Sequence, residues 1–160
     1  RDQAYKVNFV NGARYEGACA GHIPHGFGTK WYANGDWYRG DWKMGKRHGV
    51  GEFFCKQSNT WYDGDWRQGL RHGAGRSTRK YLGNSTTYDG QWVNDKREGE
   101  GQFTQPDGRR VVGIWRGGHL FDVIEDDEVP DRARGCTNAP GEFPRFTKEA
   151  VNRILQDMEG

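Results

Sequence analysis

The chain alternates in short bursts. In "YRGDW", Tyr38 to Trp42, rings and a glycine take every second position, with charged residues between them. That period of two predicts a half-buried strand, with Tyr38, Gly40 and Trp42 on one face and Arg39 and Asp41 on the other. "GVGEF", Gly49 to Phe53, predicts the return strand. "KMGKRH", Lys43 to His48, reads as the turn between them, with Gly45 available for positive φ. The unit is a β-hairpin.

The unit recurs. "YEGAC" from Tyr15, "YRGDW" from Tyr38, "YDGDW" from Tyr62, "YDGQW" from Tyr88 and "VVGIW" from Val111 are separated by 23, 24, 26 and 23 residues. Four of the five are followed by a G-x-G pair: Gly26/Gly28, Gly49/Gly51, Gly73/Gly75 and Gly99/Gly101. In the fifth, Asp122 and Ile124 replace the pair, and "VNFVNGAR" near the N-terminus reads as the back half of an earlier copy. Asn11-Gly12, Asn34-Gly35 and Asp107-Gly108 are hairpin signals that join the copies, while "QSNT" and "LGNST" predict slightly longer joins. An isolated hairpin is not stable in water, so the copies must add edge to edge. At ~4.8 Å per strand, five units would span about 45–50 Å.

The predicted fold is all-β: an elongated, twisted, single-layer antiparallel sheet of consecutive hairpins over residues 1–124, with a partial copy in 1–14 and copies from 15, 38, 62, 88 and, decayed, 111. Residues 125–145 are charged, contain three prolines and lack the period, so they predict an extended connector. Residues 146–160 predict a helix with Thr147 as N-cap and an apolar stripe of Val151, Ile154, Leu155 and Met158. That stripe must cover something, either the sheet or another chain.

The motif Y-x-G-x-W-x-x-G-x-x-x-G-x-G over roughly residues 8–124 resembles the MORN repeat (membrane occupation and recognition nexus). "H-G" at His48-Gly49 and His72-Gly73 fits the same pattern. Cys19 at the first Trp position, Val111 at the fifth Tyr position and Asp95 for Gly in the fourth loop depart from it, and predict looser packing at the ends. The resemblance implies a non-enzymatic scaffold in a ciliary, flagellar or cytoskeletal assembly, and so a location in the cytoplasm and cytoskeleton. It also admits a phosphoinositide-bound adaptor or a regulatory module of a larger enzyme.

Composition narrows the picture. The chain of 160 residues has 25 glycines and only 33% hydrophobic residues, and its mean hydropathy is −1.06. Seven Trp, seven Tyr and eight Phe nevertheless argue against disorder. A net charge of +2 makes no case for nucleic acid. Three cysteines without a CxxC pair point to free thiols in a reducing compartment. No apolar run approaches the roughly 20 residues of a membrane span, and no secretory leader is visible. The chain begins in mid-pattern, as a fragment of a longer array would.

Candidate chemistry is sparse. Gly40, Gly45 and Lys46 match the spacing of a phosphate-binding loop, but Arg47 stands where Ser or Thr is needed, and the frame recurs without the lysine. His25, His48 and His72 are equivalent and would lie ~10 Å apart, too far to share one metal ion. Glu16, Asp63 and Asp89 share one position and Asp41 and Asp65 another, where cross-strand pairing with bases such as Arg39 is expected. No catalytic residue, cofactor or metal site is expected.

Three surfaces remain as candidates for protein partners, with lipid as the second choice and self-association a further option. The aromatic face comprises Tyr38, Trp42, Tyr62, Trp66, Tyr88, Trp92 and Trp115, rings that a single-layer sheet would leave partly available. The basic turn edge comprises Lys46, Arg47, Arg71, Lys96 and Arg97. The third is the apolar stripe of the helix.

Overall fold

The computed structural model describes residues 4–126 and 148–159, and side chains as far as residue 156. Eleven strands form one open antiparallel sheet: β1 (Tyr5–Asn8), β2 (Arg14–Ala20), β3 (Ile23–Trp31), β4 (Trp37–Lys43), β5 (Lys46–Cys55), β6 (Thr60–Arg67), β7 (Leu70–Tyr81), β8 (Asn84–Val93), β9 (Lys96–Thr104), β10 (Arg110–Arg116) and β11 (His119–Asp126). Their spatial order is their sequence order, so every connection is a hairpin. Helix α1 (Lys148–Glu159) packs against the last strand.

The core is a ladder of rings on one face. Tyr15, Tyr38, Tyr62 and Tyr88 are at most 2% exposed, and Trp42, Trp66, Trp92 and Trp115 at most 5%. Each tyrosine meets an indole edge-on, as Tyr38 does Trp42 at 5.0 Å and Trp66 of the next copy at 5.2 Å between centroids. The polar ends are satisfied in a repeating way. Tyr38 donates its hydroxyl to the Asp41 carbonyl at 2.8 Å, and Tyr62 and Tyr88 do the same to Asp65 and Gln91. Trp42, Trp66, Trp92 and Trp115 donate Nε1–H to the carbonyls of Gly28, Gly51, Gly75 and Gly101, one copy earlier. Glycine is required beneath the rings: a Cβ at Gly51 would overlap the Tyr38 ring. The rings expected to stay partly available are therefore buried, because edge-on packing between copies covers them without a second sheet.

The turns within units are tighter than the sequence suggests. Met44-Gly45, Gln68-Gly69, Asn94-Asp95 and Gly117-Gly118 have positive φ at both residues, from 48° to 91°. These are two-residue turns whose twist matches that of the strands. Lys46, Arg47 and His48 thus belong to β5 rather than to a loop. The same geometry at Leu82 (φ 47°) and Gly83 (φ 80°) means that "LGNST" lengthens β7 and β8 instead of making a longer join. The Asn34-Gly35 join is wider: Tyr32 N–H donates to Asp36 O and Gly35 N–H to Tyr32 O, with only Gly35 at positive φ.

Asp41 and Asp65 are not paired with basic neighbours. The return strand is irregular opposite each of them, and their Oδ2 atoms accept the displaced N–H groups of Val50 and Ala74, both at 3.1 Å. Asp89 does pair, with Arg76 at 2.8 Å. His25 and His72 offer Nδ1 to the turn N–H groups of Met44 and Asn94, and Glu98 does the same for Gly117. Gly40 to Lys46 forms a hairpin end, not a phosphate loop.

The C-terminal end of the sheet is not loose. Val111 and Trp115 are fully buried, and Asp95 ties its turn down by accepting the N–H and Nε–H of Arg71 at 2.9 and 3.1 Å. Strand β11 runs through Asp126, since Glu125 and Asp126 pair with Val112 and Val111. The connector therefore does not begin at residue 125. Its remainder, Cys136 and the Thr147 cap lie outside the described residues.

Candidate partner-binding groove

Three of the five basic residues expected on the turn edge point inward instead. Arg47, Arg71 and Arg97 each sit one position into a return strand, on the ring face. Arg47 lies 4.6 Å from the Trp66 centroid and donates Nη2–H to Gly69 O. Arg71 lies 4.4 Å from the Trp92 centroid and donates Nη2–H to Asp95 O. Arg97 reaches over Trp92 and Trp115 and donates Nη1–H to Gly118 O. A planar guanidinium can stack and hydrogen-bond at once, which explains why the position holds arginine. Lys46 and Lys96, one residue earlier, face the other way and are exposed.

Along the ring face these arginines border a groove of about 380 Å³. Its floor is Phe53, Tyr62, Trp66, Tyr88 and Phe103, and its polar lining includes Thr60, Ser77, Arg79 and Thr86. Helix α1 folds back over one end of it. Val151 and Leu155 are at most 2% exposed, Leu155 also lines the groove, and Ile154 packs at the margin. The Met158 side chain lies outside the described residues. Asn152 fixes the helix: its amide accepts from Leu120 N–H at 2.7 Å and donates to Leu120 O at 3.0 Å. That pair of bonds imitates a neighbouring strand and covers the edge of β11.

Burial shapes the electrostatics. It pushes the Tyr15 hydroxyl up to about 12, with Cys19 adding to the effect, and pushes Tyr38, Tyr62 and Tyr88 up further. The groove therefore presents neutral phenols and cationic guanidiniums. Among the described residues, no cluster of His, Cys, Asp or Glu could hold a metal ion.

Sequence reasoning missed two features. Ser77 and Arg79 fall at positions where the motif is silent, although comparison of the copies shows a serine where two others have phenylalanine. The opposite face also carries a half-buried aromatic row: Trp37 pairs with Phe54, and Phe54 stacks on Trp61 at 4.6 Å. It was hidden because these rings flank the motif instead of forming it.

Known proteins show the same pattern. A family model described as MORN repeat matches residues 15–37, 38–60, 62–80 and 88–109. MORN repeat-containing protein 3 of Xenopus laevis is 40% identical over 57 residues, which is 35% of this chain. The match spans 24% of that relative's length.

Proposed function

The chain belongs to the MORN-repeat family, and from that premise we propose that it is a non-enzymatic scaffold that holds a partner protein in a cytoskeletal assembly of the ciliary or flagellar kind. The partner segment lies in the ring-face groove beside α1. One observation carries this reading. Helix α1 already occupies part of that groove, with Leu155 against the rings and Asn152 on the backbone of β11, so the surface accepts an amphipathic segment with both apolar and backbone-like contacts. The lipid alternative has fewer free charges to work with, since Arg47, Arg71 and Arg97 are spent on rings and carbonyls and Lys46 and Lys96 remain.

Proximity labelling in ciliated cells tests the proposal. The wild-type chain should label axonemal proteins, and Thr60→Arg, which obstructs the groove from an intermediate-exposure position, should lose them while melting normally. Uniform cytosolic labelling by both would refute the scaffold reading. Loss caused instead by Lys46→Glu/Lys96→Glu, together with lost liposome binding, would favour lipid.

A further inference from the structure

One inward position differs in kind between copies. Two residues beyond the G-x-G pair stand Lys30, Phe53, Ser77 and Phe103. Across the sheet, Phe53 is opposite Tyr62, Tyr62 opposite Ser77, Ser77 opposite Tyr88, and Tyr88 opposite Phe103. From Phe53 to Phe103, Ser77 is thus a missing ring in an otherwise aromatic stretch of the row, whose first copy carries Lys30 at this position. It is 8% exposed and forms part of the groove lining, so the space a phenyl group fills elsewhere in the row belongs here to the groove.

Arg79 is the next residue on that face, between Thr60 and Thr86 on the flanking strands. Its Nε and Nη1 are buried and have no hydrogen-bond partner among the described residues. The three arginines that cover indoles each have a carbonyl acceptor. Arg79 is half-buried and its guanidinium carbon lies 5.9 Å from the Tyr81 ring centroid. Its two shielded nitrogens nevertheless lack an acceptor, an unfavourable state that a carboxylate relieves by accepting from them. Among the described residues, Asp95 is the one carboxylate lining the groove, and Arg71 already holds it.

We propose that the gap over Ser77, with Arg79 at its rim, is a specificity pocket for an aromatic side chain next to a carboxylate in the partner segment. The ring takes the place of the absent phenylalanine between Phe53 and Phe103, against Tyr62 and Tyr88. The carboxylate accepts hydrogen bonds from Arg79. Arg79, the groove arginine with no acceptor among the described residues, favours an acidic segment over a neutral or basic one. This inference rests on the groove reading and names the partner's chemistry.

Fluorescence anisotropy on the full chain tests it, with a fluorescein-labelled ten-residue peptide of alternating Glu and Phe as probe. Matched Gln–Phe and Glu–Ala peptides should bind at least ten-fold more weakly. Ser77→Phe, which copies the residue of two other repeats, should remain folded and weaken Glu–Phe binding at least ten-fold. Arg79→Gln should weaken Glu–Phe binding by a similar factor yet leave Gln–Phe binding unchanged, a discrimination that a merely structural arginine would not show. Equal binding of Glu–Phe and Gln–Phe peptides overturns the carboxylate. Unchanged binding by a folded Ser77→Phe protein overturns the pocket and leaves the groove reading standing. If Ser77→Phe does not fold, the Arg79→Gln pair of measurements decides. Failure of the wild-type chain to bind the Glu–Phe peptide also overturns the pocket, whereas the groove reading falls only if Thr60→Arg leaves the proximity-labelling profile unchanged.

Discussion

Arg47 roofs Trp66 across a repeat boundary: its guanidinium carbon stands 4.6 Å from the indole centroid while Nη2 donates to the Gly69 carbonyl at 2.9 Å. Arg47→Lys keeps the charge but loses the flat stack and the directed bond. It should cost about 1 kcal/mol. Trp66→Ala removes the floor itself, including the bond to Gly51 O, and should cost ~3–5 kcal/mol. Urea unfolding curves separate the two, and an Arg47→Lys protein as stable as wild type would contradict a stacking role.

Two glycines make a sharper contrast. At Gly75 an added methyl group runs into the Tyr62 ring, which is boxed in by its neighbours. Gly75→Ala should therefore destabilise by ~1–3 kcal/mol through overpacking. Gly69 has open space around it and φ +86°, in the turn position that Asp95 occupies one copy later at φ 71°. Gly69→Asn should cost less than about 1 kcal/mol. Thermal melts of both variants give the order.

Alkaline pH should loosen the ladder. Tyr15 ionises near 12 in the fold against an ordinary value of 10, and Tyr38, Tyr62 and Tyr88 are held higher still. Above pH 10 the unfolded chain releases these protons while the folded chain keeps them, so stability falls as pH rises. Below that pH the four phenols contribute no pH dependence. The slope should be at most ~1.4 kcal/mol per pH unit for each tyrosine. Denaturant midpoints from pH 8 to 11.5 should stay flat and then drop, and a drop that begins near pH 8 would point to other groups.

Asn152→Ala should uncover the edge of β11. It leaves Leu120 N–H and C=O without their helix partners, at about 1–3 kcal/mol if they stay shielded from water. Amide exchange at Leu120 should accelerate and dimers should appear in size exclusion as edges pair. Slow exchange with a monomeric profile would show that Asn152 is not the cap.

Much of the fold was legible because the alternation of Tyr38, Gly40 and Trp42 recurs in register, and a strand's two faces cannot be confused once one of them is glycine and rings. The inward turn of Arg47 was not legible. A basic residue beside a glycine reads as solvated loop, yet its planar head finds an indole from the next copy, a partner absent from its own hairpin. The extent of β11 was hidden for a related reason: Glu125 and Asp126 look like connector, but ladder pairing uses the backbone and accepts charged side chains at an edge strand. In the groove, the motif pointed to the positions every copy shares. Ser77 and Arg79 mark what one copy does differently, and only the sheet register sets them beside Thr60, Thr86, Tyr62 and Tyr88.

Because a unit is two strands, whole copies can be gained or lost in heredity without turning any side chain to the wrong face. A duplicate of the second, third or fourth copy arrives with the arginine that will roof its successor and the glycine carbonyl that will receive its successor's indole, so such a duplication restores its own joints. Length is the cheap variable of such a chain. Individuality is the scarce one, and it survives only where a copy breaks ranks with its siblings, as the third does at Ser77.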